Sequence, residues 1–213
     1  MKRLALAALM LSAVTAATAG DYSPPPPPPQ KLITITSNLN TANPKAVYFP
    51  EAGRGIHGPQ NFQGTNEVAW AAAFVSGANH LVTRIDVPIL YFIGTPRIDV
   101  LLQLDKDGVP GPVLKTWHVK NVTNTHCCGL VSVTDAEGIP LHMGATYWVV
   151  VKSNAQGQDT SMLWMPNTVD VVTEGAVAFY CSSDVAGPAC TQNDKWTSLT
   201  HAPALAFGVF GPD

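Results

Sequence analysis

The stretch Ile98-Asp99-Val100-Leu101-Leu102-Gln103-Leu104-Asp105-Lys106-Asp107-Gly108-Val109-Pro110-Gly111-Pro112-Val113-Leu114 decides the fold. Ile98, Val100, Leu102 and Leu104 recur with period two, while Asp99 and Gln103 point the other way. That is the spacing of a half-buried strand, because successive side chains of a strand face opposite sides. Asp-Lys-Asp-Gly followed by Pro-Gly-Pro then forces a tight turn, and a second strand follows from Val113 to Lys120.

The same alternation extends outward in both directions. Leu32 to Thr36 is β-branched and alternating, and Val68, Trp70, Ala72 and Phe74 share one face. Leu81, Thr83, Ile85, Val87 and Ile89 form another stripe with Arg84 and Asp86 opposite. Leu130 to Val133, Tyr147 to Val151, Met162 to Met165, Ala176 to Tyr180 and Leu205 to Phe210 bring the expected number to about ten strands. Gly144-Ala145-Thr146-Tyr147-Trp148 opens a strand that is apolar on both faces, which predicts a central position in its sheet. No segment of helical length carries a 3.6-residue period after the N-terminal segment. The pattern predicts an all-β domain over residues 32–213, an antiparallel β-sandwich of jelly-roll type. Glu51 to Asn66 and Ser182 to Asp194 read as irregular loops at its ends.

The N-terminus sets the compartment. Lys2 and Arg3 precede an apolar run from Leu4 to Val14, and Ala17-Thr18-Ala19 is a small-residue cleavage site. Residues 1–19 therefore read as a signal peptide, too short in its apolar part to span a bilayer. Residues 20–31 form a spacer around the six prolines Pro24 to Pro29, a run that adopts extended polyproline II. A semi-rigid spacer is the plainer reading of that run, and a docking segment for an aromatic groove the sharper one. The expected location is secreted or periplasmic. A formal net charge of -3 and the lack of any Lys/Arg cluster argue against a nucleic-acid partner. No later apolar run is long enough for a transmembrane segment.

Three pieces of the chain carry a resemblance: Leu102 to Leu114, Leu141 to Val150, and the late tryptophans Trp164 and Trp196 before the closing apolar strand. Together, over roughly Ala46 to Gly211, they resemble the exported bacterial β-sandwich domains of the choice-of-anchor and PEP-CTERM-associated group. The resemblance implies the sandwich fold and an extracytoplasmic setting, with no common activity or active site to carry over. This chain departs from the group in having no sorting tail after Asp213, so the expectation is a domain that is soluble or held by a partner.

Four cysteines in an exported chain predict disulfides. Cys181 and Cys190 flank a Gly/Pro loop that a bond between them would close, while Cys127 and Cys128 are adjacent and either pair with each other or each bridge to the later two. The three connectivities stay open at this level. His126-Cys127-Cys128 lacks the usual ligand spacing and a second ligand cluster, so no metal is expected. Asp105 and Asp107 alternate as calcium ligands do, but Gly-Val-Pro-Gly follows in place of the remaining ligands, and a hairpin turn is the better reading.

No H-E-x-x-H and no G-x-S-x-G occurs, acidic residues are sparse, and no cofactor is expected. The leading expectation is a non-catalytic exported domain, structural or interacting, of the cell envelope or extracellular matrix. Its partner would be a protein or polysaccharide outside the cytoplasm. Among the aromatics, Trp70, Trp117 and Trp148 lie on strands. Trp164 and Trp196 sit beside loops, where an exposed ring face stacks on the apolar C–H face of a sugar. The alternative is thus a carbohydrate-binding module using those two, and a secreted hydrolase ranks third.

Overall fold

A computed structural model describes residues 31–61, 66–127, 129–167, 177–182, 195–199 and 202–213. The signal-peptide and proline segments, except Lys31, lie outside the described residues, as do Cys128 and Cys190.

Thirteen strands, numbered in chain order, form two antiparallel sheets among the described residues. The smaller sheet runs β1 (Leu32–Ser37), β13 (Gly208–Pro212), β4 (His80–Val87), β8 (Val131–Leu141). The larger runs β5 (Ile89–Ile93), β10 (Ser161–Trp164), β2 (Arg54–His57), β3 (Val68–Val75), β9 (Thr146–Ser153), β6 (Ile98–Lys106), β7 (Val109–Val119). Beside this path β11 (Val177–Cys181) pairs with both β3 and β12 (Lys195–Leu199). Consecutive strands repeatedly change sheet, as β4 to β5, β7 to β8 and β8 to β9 do. This is the sandwich of jelly-roll type that the alternation predicts. Among the described residues no helix is long and apolar enough to cross a membrane.

The two sheets close on one apolar layer. Ile85, Val87 and Val209 from the smaller sheet meet Val100, Leu102, Val149 and Val151 from the larger, all fully buried. Strand β9 lies between β3 and β6 and is buried on both faces, as its double-sided apolar sequence predicts. The β6–β7 hairpin closes through Lys106↔Val109 around Asp107 and Gly108, both with positive φ (55° and 81°). That is the left-handed backbone conformation whose turn matches the right-handed twist of the flanking strands, and it suits Asp-Gly. Asp105 accepts the Gly108 N–H, so this carboxylate serves the turn.

Two expectations are corrected. The stripe over Leu81 to Ile89 is not one strand: Pro88 has no N–H to give a ladder, so β4 ends at Val87 and the chain crosses to the other sheet as β5. Nor does it keep one phase. A bulge between Val82 and Arg84 puts Val82 in the core and leaves Leu81 exposed, with Ile85 and Val87 inward again. The Glu51–Asn66 loop also contains a strand, β2, whose Ile56 is fully buried and pairs with Met162.

Candidate functional site

The outer face of the larger sheet holds the candidate site. On β3 the residues alternate with the core-facing Trp70, Ala72 and Phe74, so Ala69, Ala71 and Ala73 face outward. Register places Ala178 beside Ala71 and Tyr180 beside Ala69 on β11, then Trp196 beside Tyr180 on β12. On the other flank Val150 pairs with Leu101 and Lys152 with Asp99. The alanines make a low floor that is itself buried: Ala69, Ala71 and Ala178 are covered, and β12 lies against β7, so the sheet is curled rather than flat. Ala71, Leu101, Trp148, Val150 and Ala178 form a second buried cluster, against which Trp196 packs.

Above that floor is a cavity of about 190 Å³ lined by Glu67, Ala69, Leu101, Gln103, Val113, Val150, Lys152, Tyr180 and Trp196. The wall on one side is aromatic: the Tyr180 and Trp196 rings lie 5.7 Å apart between centroids, tilted by 51°. An amide, a carboxyl and an ammonium complete the lining. Gln103 is buried although polar. Burial pushes the Glu67 carboxyl above its ordinary value, Lys152 pulls it back, and Asp99 adds to the rise. The Glu67 backbone is tied to Ser182: its N–H donates to Ser182 Oγ at 2.8 Å, and its carbonyl accepts the Ser182 N–H at 3.0 Å. Trp148 forms part of the same face, and its indole N–H donates to Asp105 Oδ1 at 2.8 Å.

The structure separates the two tryptophans expected to act together. Trp164 is on β10, fully buried between the sheets, with its N–H donated to the Ala206 carbonyl at 2.8 Å. It is a core residue and presents no face to a ligand. Trp196 is half-buried and keeps its place at the cavity. Tyr180, Glu67, Gln103 and Lys152 join it only through register, and no local motif marks them.

Cys127 and Cys181 carry no free thiol. Their candidate partners Cys128 and Cys190 lie outside the described residues. No group of three or more metal-ligating side chains occurs among the described residues. Two histidines contact polar side chains. His57 Nδ1 is 3.1 Å from Ser161 Oγ, but this is a direct cross-strand pair with the serine buried, and no salt bridge among the described residues gives His57 a carboxylate. His118 Nδ1 is 2.7 Å from Asp99 Oδ1, again between register partners.

No protein-family model matches the chain, and no curated protein does. Among solved structures it is similar to the crystal structure of the cysteine protease and lectin-like domains of Cwp84, a surface layer associated protein of Clostridium difficile. The identity is 16% and the TM-score 0.44, over 68% of this chain and 32% of that one. The chain thus spans about a third of that structure's length.

Proposed function

We propose that this chain is an exported, non-catalytic interaction domain that binds polysaccharide at a cavity on the outer face of its larger sheet. One observation carries the reading: the cross-strand pair Tyr180 and Trp196 walls a cavity that Gln103, Glu67 and Lys152 also line. An aromatic face covers the apolar C–H side of a sugar ring, while amide, carboxyl and ammonium groups exchange hydrogen bonds with its hydroxyls. The signal-like N-terminus and the proline run support an extracytoplasmic domain held away from its attachment. Four cysteines fit that compartment, with Cys181 paired to Cys190 and Cys127 to Cys128 as the pairing that joins neighbours in sequence.

A second reading has its own observation. Glu67 is a carboxyl kept protonated to higher pH by burial, close enough to Asp99 to feel its charge. A raised acid beside a second carboxylate is the pairing used in glycoside hydrolysis.

One experiment addresses both. The purified chain is mixed with insoluble polysaccharides, and retained protein and released sugar are measured in the same tubes. Retention that Trp196→Ala abolishes, with no sugar released, supports the binding reading. Released sugar that Glu67→Gln abolishes replaces it with the hydrolase. Absence of retention on every polysaccharide counts against both and leaves a protein partner.

A further inference from the structure

Burial around the cavity grades from a floor to a rim. Ala69, Val150 and Leu101 are buried and line it from three adjacent strands, β3, β9 and β6. Gln103, 7% exposed, is the one polar lining residue at that depth. Tyr180, Trp196, Glu67 and Lys152 are half-buried and form the rim. The deep part of the cavity is therefore hydrocarbon with a single amide in it. That amide forms no hydrogen bond among the described residues, and neither of its polar atoms is sealed from solvent, so it opens on the cavity. At the rim, Glu67 and Lys152 enter no salt bridge among the described residues.

The cavity is also short. β12 lies against β7, and Trp196 and Val113 from those two strands both line it, so the curl of the sheet closes it on that side. Its volume of about 190 Å³ is below the roughly 300 Å³ at which cavities for drug-sized ligands begin. One sugar ring has room there, and a chain running across the strands does not. The chemistry of the floor narrows the sugar further. A hydroxyl pressed onto Ala69, Val150 and Leu101 would give up water without gaining a partner. An acetamido group avoids that cost. Its methyl suits the hydrocarbon, while its C=O and N–H match the NH₂ and C=O of Gln103 as an amide pair. The ring face then covers the aromatic wall, and the hydroxyls at its edge reach Glu67 and Lys152.

We infer that the cavity takes one N-acetylated amino sugar at the end of a polysaccharide chain, with Gln103 pairing its acetamido group. This rests on the polysaccharide reading above and narrows it. Tyr180 and Trp196 supply the stacking that any sugar would use, and Gln103 supplies the choice between sugars. A ligand with a hydroxyl in place of the acetamido group leaves part of the Gln103 amide unpaired in a water-poor floor, which is how a polar pocket rejects the wrong ligand.

The test compares chitin oligomers with cellulose oligomers of the same lengths by titration calorimetry on the full chain. The two series differ only in carrying an acetamido group or a hydroxyl at one ring position. The unaltered protein should bind the chitin series roughly tenfold tighter or more, the scale of one well-paired buried polar group. Affinity should stay level as the oligomer lengthens, because only the end sugar enters. Gln103→Met fills similar space without the amide and should erase most of the preference, while Trp196→Ala should weaken both series. A native melting temperature shows that Gln103→Met is folded, and if it is not, the two series on the unaltered protein decide alone. Equal affinity for the two series, or a preference that survives in folded Gln103→Met, overturns the acetamido assignment. Affinity that climbs with each added sugar overturns the single-sugar pocket. In either case the polysaccharide reading stands if Trp196→Ala abolishes the binding that remains. Binding to neither series overturns the inference, and the polysaccharide reading falls with it only if no polysaccharide in the retention assay holds the chain.

Discussion

Tyr180 and Trp196 stand directly opposite each other on β11 and β12, and their tilted rings line the cavity shared with Glu67, Gln103 and Lys152. Two neighbouring strands thereby turn two aromatic residues into one wall. Such a pair contributes about 0.5–1.5 kcal/mol beyond its buried area. Trp196 is half-buried, so part of its surface remains for a ligand.

Replacing Trp196 with alanine should therefore separate binding from folding. We expect loss of polysaccharide retention with a stability cost of about 1–2 kcal/mol, below that of a core tryptophan. Trp196→Phe should recover part of the binding, because a ring face remains. Retention assays and denaturant titrations on the same preparations check both halves. Full retention by Trp196→Ala would remove the aromatic wall from the mechanism.

Trp164 should behave in the opposite way. It is fully buried and its N–H is satisfied by the Ala206 carbonyl, so truncation leaves both a cavity and an orphaned acceptor. Trp164→Ala should cost about 3–5 kcal/mol, and Trp164→Phe chiefly the hydrogen bond, about 1 kcal/mol, plus imperfect filling. Urea unfolding gives both values. A loss below about 1 kcal/mol in Trp164→Ala would contradict the core placement.

The contrast between these two tryptophans shows how far local sequence reaches. The β6–β7 hairpin is legible because Ile98, Val100, Leu102 and Leu104 alternate and Asp107-Gly108 suits the turn that closes them. The double-sided apolar character of β9 is legible for the same reason. The phase of β4 is not, since the bulge after Val82 reverses which residues face inward while the apolar alternation of the sequence simply continues. The site is less legible still. Tyr180, Ala69, Lys152 and Gln103 come from four strands, and only sheet order brings them to one cavity. A local hint does exist in Ala69, Ala71 and Ala73: small residues at every second position make one face of β3 low, which leaves room for Trp196 to pack against it. Nothing local distinguishes Trp164 from Trp196, since both adjoin apolar strands and turn residues.

Glu67 predicts a pH dependence of stability. Its carboxyl is raised mainly by burial, so the folded state holds the proton to higher pH than the unfolded chain does. Between the two values the folded state binds more protons, and stability falls as pH rises. The contribution is fully present below the ordinary value of 4.5 and is lost as pH passes through the raised one. Glu67→Gln removes the charge that burial disfavours. It should melt higher than the unaltered chain near neutral pH, with the gap closing on acidification below the ordinary carboxyl value. Melting curves across that range check the sign, and a Glu67→Gln variant that is less stable at neutral pH would reverse it.

The cysteines tie stability to the site. Cys181 is buried at the end of β11, next to Tyr180, and pairs in register with Val68 and with Lys195, which precedes Trp196. A bond from Cys181 to Cys190 would close the segment joining β11 to β12 and limit the freedom of the unfolded chain. Its removal should cost about 2–4 kcal/mol. Cys190→Ser should therefore lower the melting temperature and weaken polysaccharide retention together, because both aromatic residues of the wall sit on the two strands this segment connects. Cys128→Ser, acting at the other end of the fold's disulfide chemistry, should leave retention unchanged. Mass spectrometry of unreduced peptides reads the pairing directly. A Cys181–Cys127 or Cys181–Cys128 link would instead couple the wall to the segment before β8, and Cys127→Ser or Cys128→Ser would then be the substitution that weakens binding.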